Sequence, residues 1–283
     1  MGDIGSSALA FVRACFYLGL TLPLMPVQAL FVALDLPAAR TLPRWYHARC
    51  AALFGLEIRT TGTPTTASPA LLVANHVSYL DIVVLSALTE VSFVAKTEIA
   101  GWPFFGWLAK LQRTVFVARR ARAVDREADA LQQRLAAGGN IVLFAEGTTG
   151  DGNRAQRFKS ALFAAAESAP GGAPIAVQPV TIAYTRLDGM PLCRSLRPAV
   201  AWYGDMELLP HLWAFIGLGR IGVEVIFHAP TSLAAAGSRK HLAQHCERVI
   251  AHSLAAANAG RESLSVPAPA ARGLGGLKAA GPG

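Results

Sequence analysis

The chain has 283 residues, enough for one large globular domain with an appended segment. Hydrophobic residues make up 53% of it and charged residues only 16%, below the roughly 25% usual in soluble domains. This composition predicts a protein that touches a membrane without being built wholly of spanning helices. The net charge of +8 fits anionic lipid or an anionic substrate, and because no nucleic-acid-binding motif accompanies it, no nucleic-acid partner is predicted.

The first predicted element is an uncharged stretch from Ala14 to Leu34. About 20 apolar residues suffice for a helix to cross a hydrocarbon core, but Pro23 and Pro26 lie in the middle and disfavour a straight helix. The stretch is therefore predicted to span with a kink or to enter and return as a short helical hairpin, with a buried core helix as the alternative.

Positive charges are unequally distributed around this stretch. Arg40, Arg44 and Arg49 follow it, against Arg13 and Asp3 before it. Cytoplasmic flanks of spanning segments carry an excess of Lys and Arg. If the stretch spans, the body of the protein is expected in the cytoplasm.

Short apolar runs rich in Val, Ile and Phe then alternate with helical patterns. The predicted strands are Leu71–Ala74, Val91–Ala95, Val115–Ala118, Ile141–Ala145, Ile175–Ala183, Ala199–Tyr203 and Gly222–His228. The predicted helices are Asp81–Leu88, Ala123–Ala137 and Phe158–Glu167. Apolar strands separated by helices predict an α/β domain with a central, mostly parallel sheet flanked by helices.

Three regions follow from these patterns. Residues 1–55 are predicted to form the N-terminal membrane-associated helical segment, and residues 56–256 the α/β domain. Residues 257–283 are rich in Ala, Gly, Pro and Ser and end in GLGGLKAAGPG. Such a segment buries too little apolar surface to offset its ordering entropy, so a disordered tail is predicted.

The first candidate functional motif runs from Asn75 to Asp81, at a predicted strand-to-helix junction. His76 could take the proton of a substrate hydroxyl, and a carboxylate on its other ring nitrogen would fix the tautomer. Alternatively, Ser78 and Asp81 match a capping box at the start of the helix. Positions five apart on a helix differ by about 140° in azimuth, so His76 and Asp81 can meet only if His76 precedes the helix.

Two further segments place polar residues after predicted strands. Glu146, Gly147 and Thr148 follow a buried strand and could hold substrate hydroxyls or an anion, although an ordinary glycine-rich turn is the alternative. Arg119 also leaves a strand end, and guanidinium groups suit phosphate or carboxylate recognition. A solvated basic face or a membrane-surface patch is the alternative, and it is favoured for Arg120 and Arg122 but not for Arg119.

Together these segments resemble the glycerolipid acyltransferase family with the H-x4-D motif, which includes the 1-acylglycerol-3-phosphate acyltransferases. The matched positions, in the family's order, are His76 and Asp81, then Phe116 and Arg119, then Glu146, Gly147 and Thr148, then Pro179. The resemblance covers roughly residues 71–180 and implies that residues 56–256 are the acyltransferase domain.

The resemblance implies a site and a reaction. His76 would act as general base oriented by Asp81, and a lysolipid hydroxyl would attack an acyl thioester supplied by acyl-CoA or acyl carrier protein. Substrate-binding roles would fall to Arg119, Glu146, Gly147, Thr148 and Pro179. No cofactor and no metal are implied. The expected location is the cytoplasmic (inner) membrane, with membrane lipids as partners and the active site facing the cytoplasm.

Two departures from the family pattern concern the acceptor. Thr149 stands where the family often has Arg, and Arg113 where the second motif usually opens with Gly. A phosphate contact could come instead from Arg113, Arg154 or Lys159. The most favoured acceptor is 1-acyl-sn-glycerol-3-phosphate, yet the stretches EGTTGDGNRAQRFKSALF and AWYGDMELLPHLW look like the branch that acylates lyso-ornithine lipid. A hydrolase and a non-catalytic lipid-binding membrane protein are the alternatives outside acyl transfer.

Overall fold

The computed structural model describes residues 5–117, 134–135, 138–167 and 175–261. The helices are α1 (Ser7–Ala33), α2 (Ala38–Leu53), α3 (Leu80–Leu88), α4 (Phe105–Leu111), α5 (Leu208–Ile216), α6 (Leu233–Ala236) and α7 (Arg239–Asn258). The strands are β1 (Leu56–Thr61), β2 (Ala70–Ala74), β3 (Ser92–Lys96), β4 (Val115–Val117), β5 (Ile141–Phe144), β6 (Ala176–Leu187), β7 (Met190–Pro191) and β8 (Ile221–Phe227). Short 3-10 helices cover Thr97–Gly101, Ser160–Ala166 and Arg197–Ala199.

The strands form one sheet in the order β1-β8-β6-β2-β5-β3-β4, with β7 paired to β6. Strands β6, β2, β5, β3 and β4 run parallel to one another. Strand β8 is antiparallel to β6 and parallel to the edge strand β1. The predicted α/β fold with a mostly parallel sheet is confirmed.

Helices cover both faces of the sheet, and alternate residues of the central strands face opposite sides. In β2, Leu72 and Ala74 belong to the core under α1, α2, α3 and α5, whereas Leu71 and Val73 belong to the core under α7. Every residue of β2 is buried, as a central parallel strand requires. The carboxyl end of this strand is therefore fixed on both sides, and the candidate motif at His76 begins there.

Helix α1 is continuous from Ser7 to Ala33 and contains both Pro23 and Pro26. The chain therefore does not reverse inside the predicted apolar stretch, and the hairpin within that stretch is wrong. The reversal comes after Ala33, and α2 then packs back along α1. Helix α1 is the one helix in the described part of the chain that is long and apolar enough to cross a membrane, with a mean hydropathy of 1.7.

The N-terminal part of α1 is attached to the carboxyl end of α5. The Ser6 hydroxyl accepts a hydrogen bond from the Leu9 N–H and caps the helix. The Arg13 guanidinium donates to the carbonyl oxygens of Ile216 and Leu218, at 3.1 and 2.6 Å. A cation at the carboxyl end of α5 complements the helix dipole, so these contacts stabilise α1 against the domain.

Several predicted elements need correction. Ala199–Tyr203 is not a strand, because a 3-10 helix ends there and the chain continues as a loop. Phe158–Glu167 forms only a 3-10 helix over Ser160–Ala166. Strand β1 was not predicted. The predicted helix Ala123–Ala137 lies outside the described residues except for positions 134–135. The tail predicted over residues 257–283 begins slightly later, because helix α7 continues to Asn258, and positions 262–283 lie outside the described residues.

Candidate active site

The turn that carries His76 is fixed to the neighbouring strand by Asn75. The Asn75 side-chain amide donates to the Ile182 carbonyl, and its oxygen accepts from the Ile182 N–H, both at 2.9 Å. These two bonds continue the pairing of β2 with β6 one residue beyond Ala74. His76 therefore leaves the sheet at a defined position, in the turn before α3.

The His76 Nδ1 lies 2.8 Å from the Asp81 Oδ2. Asp81 has no exposed surface, and the same oxygen accepts the backbone N–H groups of Val77 and Ser78 at 2.7 and 3.1 Å. Its other oxygen accepts the Tyr184 hydroxyl at 2.8 Å. One carboxylate therefore both pairs with the histidine and accepts backbone N–H groups at the start of the helix, whereas the Ser78 hydroxyl, which a complete capping box requires, has no partner among the described residues.

This arrangement fixes the tautomer of His76. The Asp81 oxygen is an acceptor, so Nδ1 carries the proton and Nε2 keeps its lone pair. The ring stacks on Phe144 with a centroid separation of 3.8 Å and an angle of 9°. The side chain keeps 19% of its surface exposed and lines the cavity described below, so Nε2 is available as a base.

Glu146 lies beneath the same region, 3% exposed. Its Oε1 accepts the Gln156 N–H at 3.1 Å, and the backbone N–H of His76 also lies beside the carboxyl group. Burial raises the pKa of Glu146 to about 8; the Gln156 N–H opposes this, and the negative charge of Asp81 adds to it. Burial therefore favours the neutral acid, which can donate a hydrogen bond.

Gly147, Thr148 and Lys159 lie together at the cavity surface. Gly147 has a φ of +71°, and a Cβ at this position would come within 2.7 Å of the Lys159 Nζ. The Lys159 N–H donates to the Ala145 carbonyl at 2.9 Å, which holds the lysine backbone beside this turn. The glycine thus permits both the turn and the close approach of the ammonium group.

A cavity of about 1390 Å³ opens at His76 and continues between the sheet and helices α1, α2, α3 and α4. Phe144, Thr148, Thr149 and Lys159 line it near the histidine, and its other walls are mostly apolar. A long apolar space ending at a base suits an acyl chain whose carboxyl carbon lies at the histidine.

The structure thus brings His76, Asp81, Glu146, Gly147, Thr148 and Lys159 together. Pro179 lies elsewhere, buried inside β6 opposite Val73, where its carbonyl accepts the His228 N–H at 3.0 Å. Pro179 is not among the residues that line the cavity, and its substrate-binding role stays a prediction. Arg119 lies outside the described residues.

Two important residues were not predicted from the sequence, Tyr184 and Phe144. A signal for Tyr184 exists, because a tyrosine inside an apolar strand needs a partner for its hydroxyl. Nothing in the sequence indicates that Phe144 stacks on His76. In the part of the chain that the structure describes, no group of three or more His, Cys, Asp or Glu residues could hold a metal ion.

Comparisons with known proteins agree with this geometry. Residues 56–183 match the acyltransferase family. The chain is 48% identical over 264 residues to the lyso-ornithine lipid O-acyltransferase of Brucella abortus, covering 92% of this chain and 98% of the relative. It is 42% identical over 257 residues to the protein of the same name from Rhizobium meliloti, covering 88% of each chain.

More distant relatives are named for a different acceptor. The chain is 33% identical over 199 residues to the 1-acyl-sn-glycerol-3-phosphate acyltransferase of Neisseria gonorrhoeae, covering 69% of this chain and 73% of the relative. The crystal structure of the 1-acyl-sn-glycerophosphate acyltransferase of Thermotoga maritima has the same fold, with a TM-score of 0.60 at 21% identity over 88% of this chain and 92% of that one. The chain therefore belongs to the acyltransferase family, in the branch of the lyso-ornithine lipid and 1-acylglycerol-3-phosphate acyltransferases, and it is a lysolipid acyltransferase.

Proposed function

We propose that this enzyme acylates the free hydroxyl of lyso-ornithine lipid, with an acyl thioester of coenzyme A or of acyl carrier protein as donor. The observation that carries the mechanism is the His76–Asp81 pair, which leaves the unprotonated Nε2 of the histidine at the end of an apolar cavity. A base in this position can remove the proton of a lipid hydroxyl whose chain lies in the cavity.

The reaction needs one base and no protein nucleophile. His76 Nε2 takes the hydroxyl proton while the lipid oxygen attacks the thioester carbonyl carbon. The tetrahedral intermediate collapses, the carbon–sulfur bond breaks, and the proton passes from His76 to the leaving sulfur. The imidazolium that forms in between is stabilised by the buried Asp81 carboxylate, to which Nδ1–H already donates.

The choice of acceptor rests on the relatives that match most of the chain. Two of them, which cover 92% and 88% of it, are named as lyso-ornithine lipid O-acyltransferases. The relative named for 1-acyl-sn-glycerol-3-phosphate is less similar and covers 69%.

Location follows from α1 and the charges after it. Helix α1 has 27 residues and is mostly unburied, so it is long enough to reach across a bilayer or to lie in one. The arginines that follow it, Arg40, Arg44 and Arg49, favour the cytoplasmic face. We therefore place the enzyme at the cytoplasmic membrane, among membrane lipids, with its active site facing the cytoplasm.

The test compares acceptors, donors and the base in one assay. The purified, detergent-solubilised parent, its His76→Ala variant and a His241→Ala control are offered lyso-ornithine lipid and 1-acylglycerol-3-phosphate with both donors. His241 is a matched control because it is an exposed histidine on α7, away from the cavity. We expect parent and control to acylate lyso-ornithine lipid, and His76→Ala to lose about 10²–10⁴ in kcat.

Other outcomes contradict separate parts of the proposal. Activity of His76→Ala close to that of the parent would exclude His76 as the base. A higher kcat/KM for 1-acylglycerol-3-phosphate would replace the acceptor and keep the mechanism. Fatty acid released from the donor in the absence of any lysolipid would indicate a hydrolase.

A further inference from the structure

Lys159 places a positive charge at the surface of the cavity, beside the turn that follows β5. Its side chain lies across Gly147, since a Cβ on that glycine would be 2.7 Å from the Lys159 Nζ and 3.3 Å from its Cδ and Cε. Both residues line the cavity, and Lys159 is exposed. The ammonium group therefore lies over a cavity-lining turn, where a ligand can reach it.

The turn under this ammonium group is joined to the residues around the base. The Gly147 N–H donates to the Phe144 carbonyl at 3.0 Å. Phe144 in turn stacks on the His76 ring with the ring centroids 3.8 Å apart. A substrate whose hydroxyl lies at the His76 Nε2 would therefore have neighbouring groups within reach of Lys159.

The charge of Lys159 is not balanced by a described side chain. Its ammonium group forms no ion pair and no side-chain hydrogen bond with any residue that the structure describes. Glu146, the acid that immediately precedes the glycine turn, is buried, and burial favours its neutral form. An anionic group of a bound substrate can therefore pair with Lys159 without displacing a described partner.

We propose that Lys159 binds the carboxylate of the acceptor's headgroup and is a specificity-determining residue for acceptors that carry one. The inference rests on the proposed function, because ornithine linked to a fatty acyl chain through an amino group keeps a free carboxylate. The lysine ammonium is a compact charge on a flexible stem, which one carboxylate can satisfy. Binding this group holds the acceptor hydroxyl near the His76 Nε2 and raises kcat/KM for such acceptors.

The test combines a change in the protein with a change in the acceptor. Parent, Lys159→Met and Lys159→Arg are assayed with lyso-ornithine lipid and with its carboxamide, in which a neutral amide replaces the carboxylate. We expect the parent to prefer the carboxylate about fivefold in kcat/KM, because ion pairs near solvent are weak. Lys159→Met should lose this preference, and Lys159→Arg, which keeps the positive charge, should retain it.

A matched control and the opposite outcomes complete the comparison. Lys240→Met, at an exposed lysine on α7 that does not line the cavity, should keep the parent's preference. Each preference is a ratio within one preparation, so it does not depend on the folded fraction of a variant. The same preference in Lys159→Met as in the parent would overturn the inference alone. A parent that acylates 1-acylglycerol-3-phosphate but not lyso-ornithine lipid would overturn the proposed acceptor together with the inference.

A donor without phosphate groups separates the acceptor carboxylate from the phosphates of coenzyme A, which an ammonium group could also bind. The two acceptors are offered with acyl-CoA and with an acyl thioester of N-acetylcysteamine, which carries no phosphate. We expect the parent to show the same preference for the carboxylate with both donors. A loss of activity in Lys159→Met that is confined to acyl-CoA and equal for both acceptors would assign Lys159 to the donor and contradict the inference.

Discussion

The Asp81 carboxylate is the residue on which the catalytic geometry depends. Four donors converge on its two oxygens: the His76 ring, the backbone N–H groups of Val77 and Ser78, and the Tyr184 hydroxyl. Since each donor comes from a different position, the carboxylate can adopt only one orientation. Tyr184 is a positioning residue, because it acts on His76 through Asp81 and touches no reacting atom.

Burial of Glu146 makes the free energy of unfolding depend on pH. Its pKa is raised from the ordinary 4.5 to about 8, so between these values the unfolded chain releases a proton that the folded protein keeps. The stabilisation from this group is fully present below 4.5 and is lost as pH rises through 8. In the interval, the free energy of unfolding falls by about 1.4 kcal/mol per pH unit.

We therefore expect Glu146→Gln to remove the contribution of Glu146 to the pH dependence of stability. The melting temperature of the variant should then fall less than that of the parent between about pH 5 and pH 8. Thermal denaturation in detergent at several pH values measures it. Glu57→Gln, at an exposed carboxylate in β1, should follow the parent profile. Parallel profiles for Glu146→Gln and the parent would show that Glu146 is ionised in the folded protein.

Only contacts between residues close together in the sequence could be predicted for this site. His76 and Asp81 are five positions apart, and the strand-to-helix junction allows them to meet. The contact of Tyr184 with Asp81 joins residues 103 positions apart, and only the pairing of β6 with β2 brings them together.

At the scale of elements, the loop after Glu146 braces the histidine turn. The Gly150 N–H donates to the His76 carbonyl at 2.8 Å. The loop is held in turn by Arg197, whose guanidinium donates to the Asn153 side-chain oxygen at 2.6 Å and to the Leu192 carbonyl at 3.3 Å. Arg197 therefore helps to position His76 indirectly, because it holds the loop whose Gly150 N–H bonds to the His76 carbonyl. Arg197 itself does not line the cavity.

Replacing Arg197 with Met should loosen this loop. A buried, charged donor to Asn153 is lost, and its removal costs about 1.5–3 kcal/mol of stability. We expect a lower melting temperature and a reduced kcat with little change in KM, measured by thermal denaturation and steady-state kinetics. Arg194→Met, at an exposed arginine three residues earlier, is the matched control. Unchanged kcat in folded Arg197→Met would exclude a positioning role.

Elements were predicted correctly where burial makes a strand continuously apolar. Strands β2, β5 and β6 are buried along most of their length, and the apolar runs identified them. Strand β1 was missed because LEIRTT is largely exposed and has no apolar run. Ala199–Tyr203 has the composition of a strand, but the Trp202 N–H donates to the Val77 carbonyl, so tertiary contacts hold it as a loop beside the site.

At the scale of the whole molecule, α1 has two different faces. Its inner face, with Tyr17, Thr21 and Gln28, lines the cavity. Its outer face exposes large apolar side chains, including Phe11, Phe16 and Leu22, which are 63%, 65% and 54% exposed. One helix therefore provides both a wall of the cavity and an exposed apolar surface, and at the location proposed above it would serve both membrane contact and substrate entry.

Replacing Phe11, Phe16 and Leu22 together with Gln should weaken membrane binding and leave the chemistry intact. Burying one such side chain in lipid contributes about 1.5–3 kcal/mol, so loss of all three predicts a more than tenfold (more than about 1.4 kcal/mol) weaker association with phospholipid vesicles in sedimentation. Turnover of detergent-dispersed substrate should persist, because none of the three lines the cavity. Met190→Gln, equally exposed but far along the chain at β7, should sediment like the parent. If the triple variant also binds vesicles like the parent, α1 is not the membrane contact.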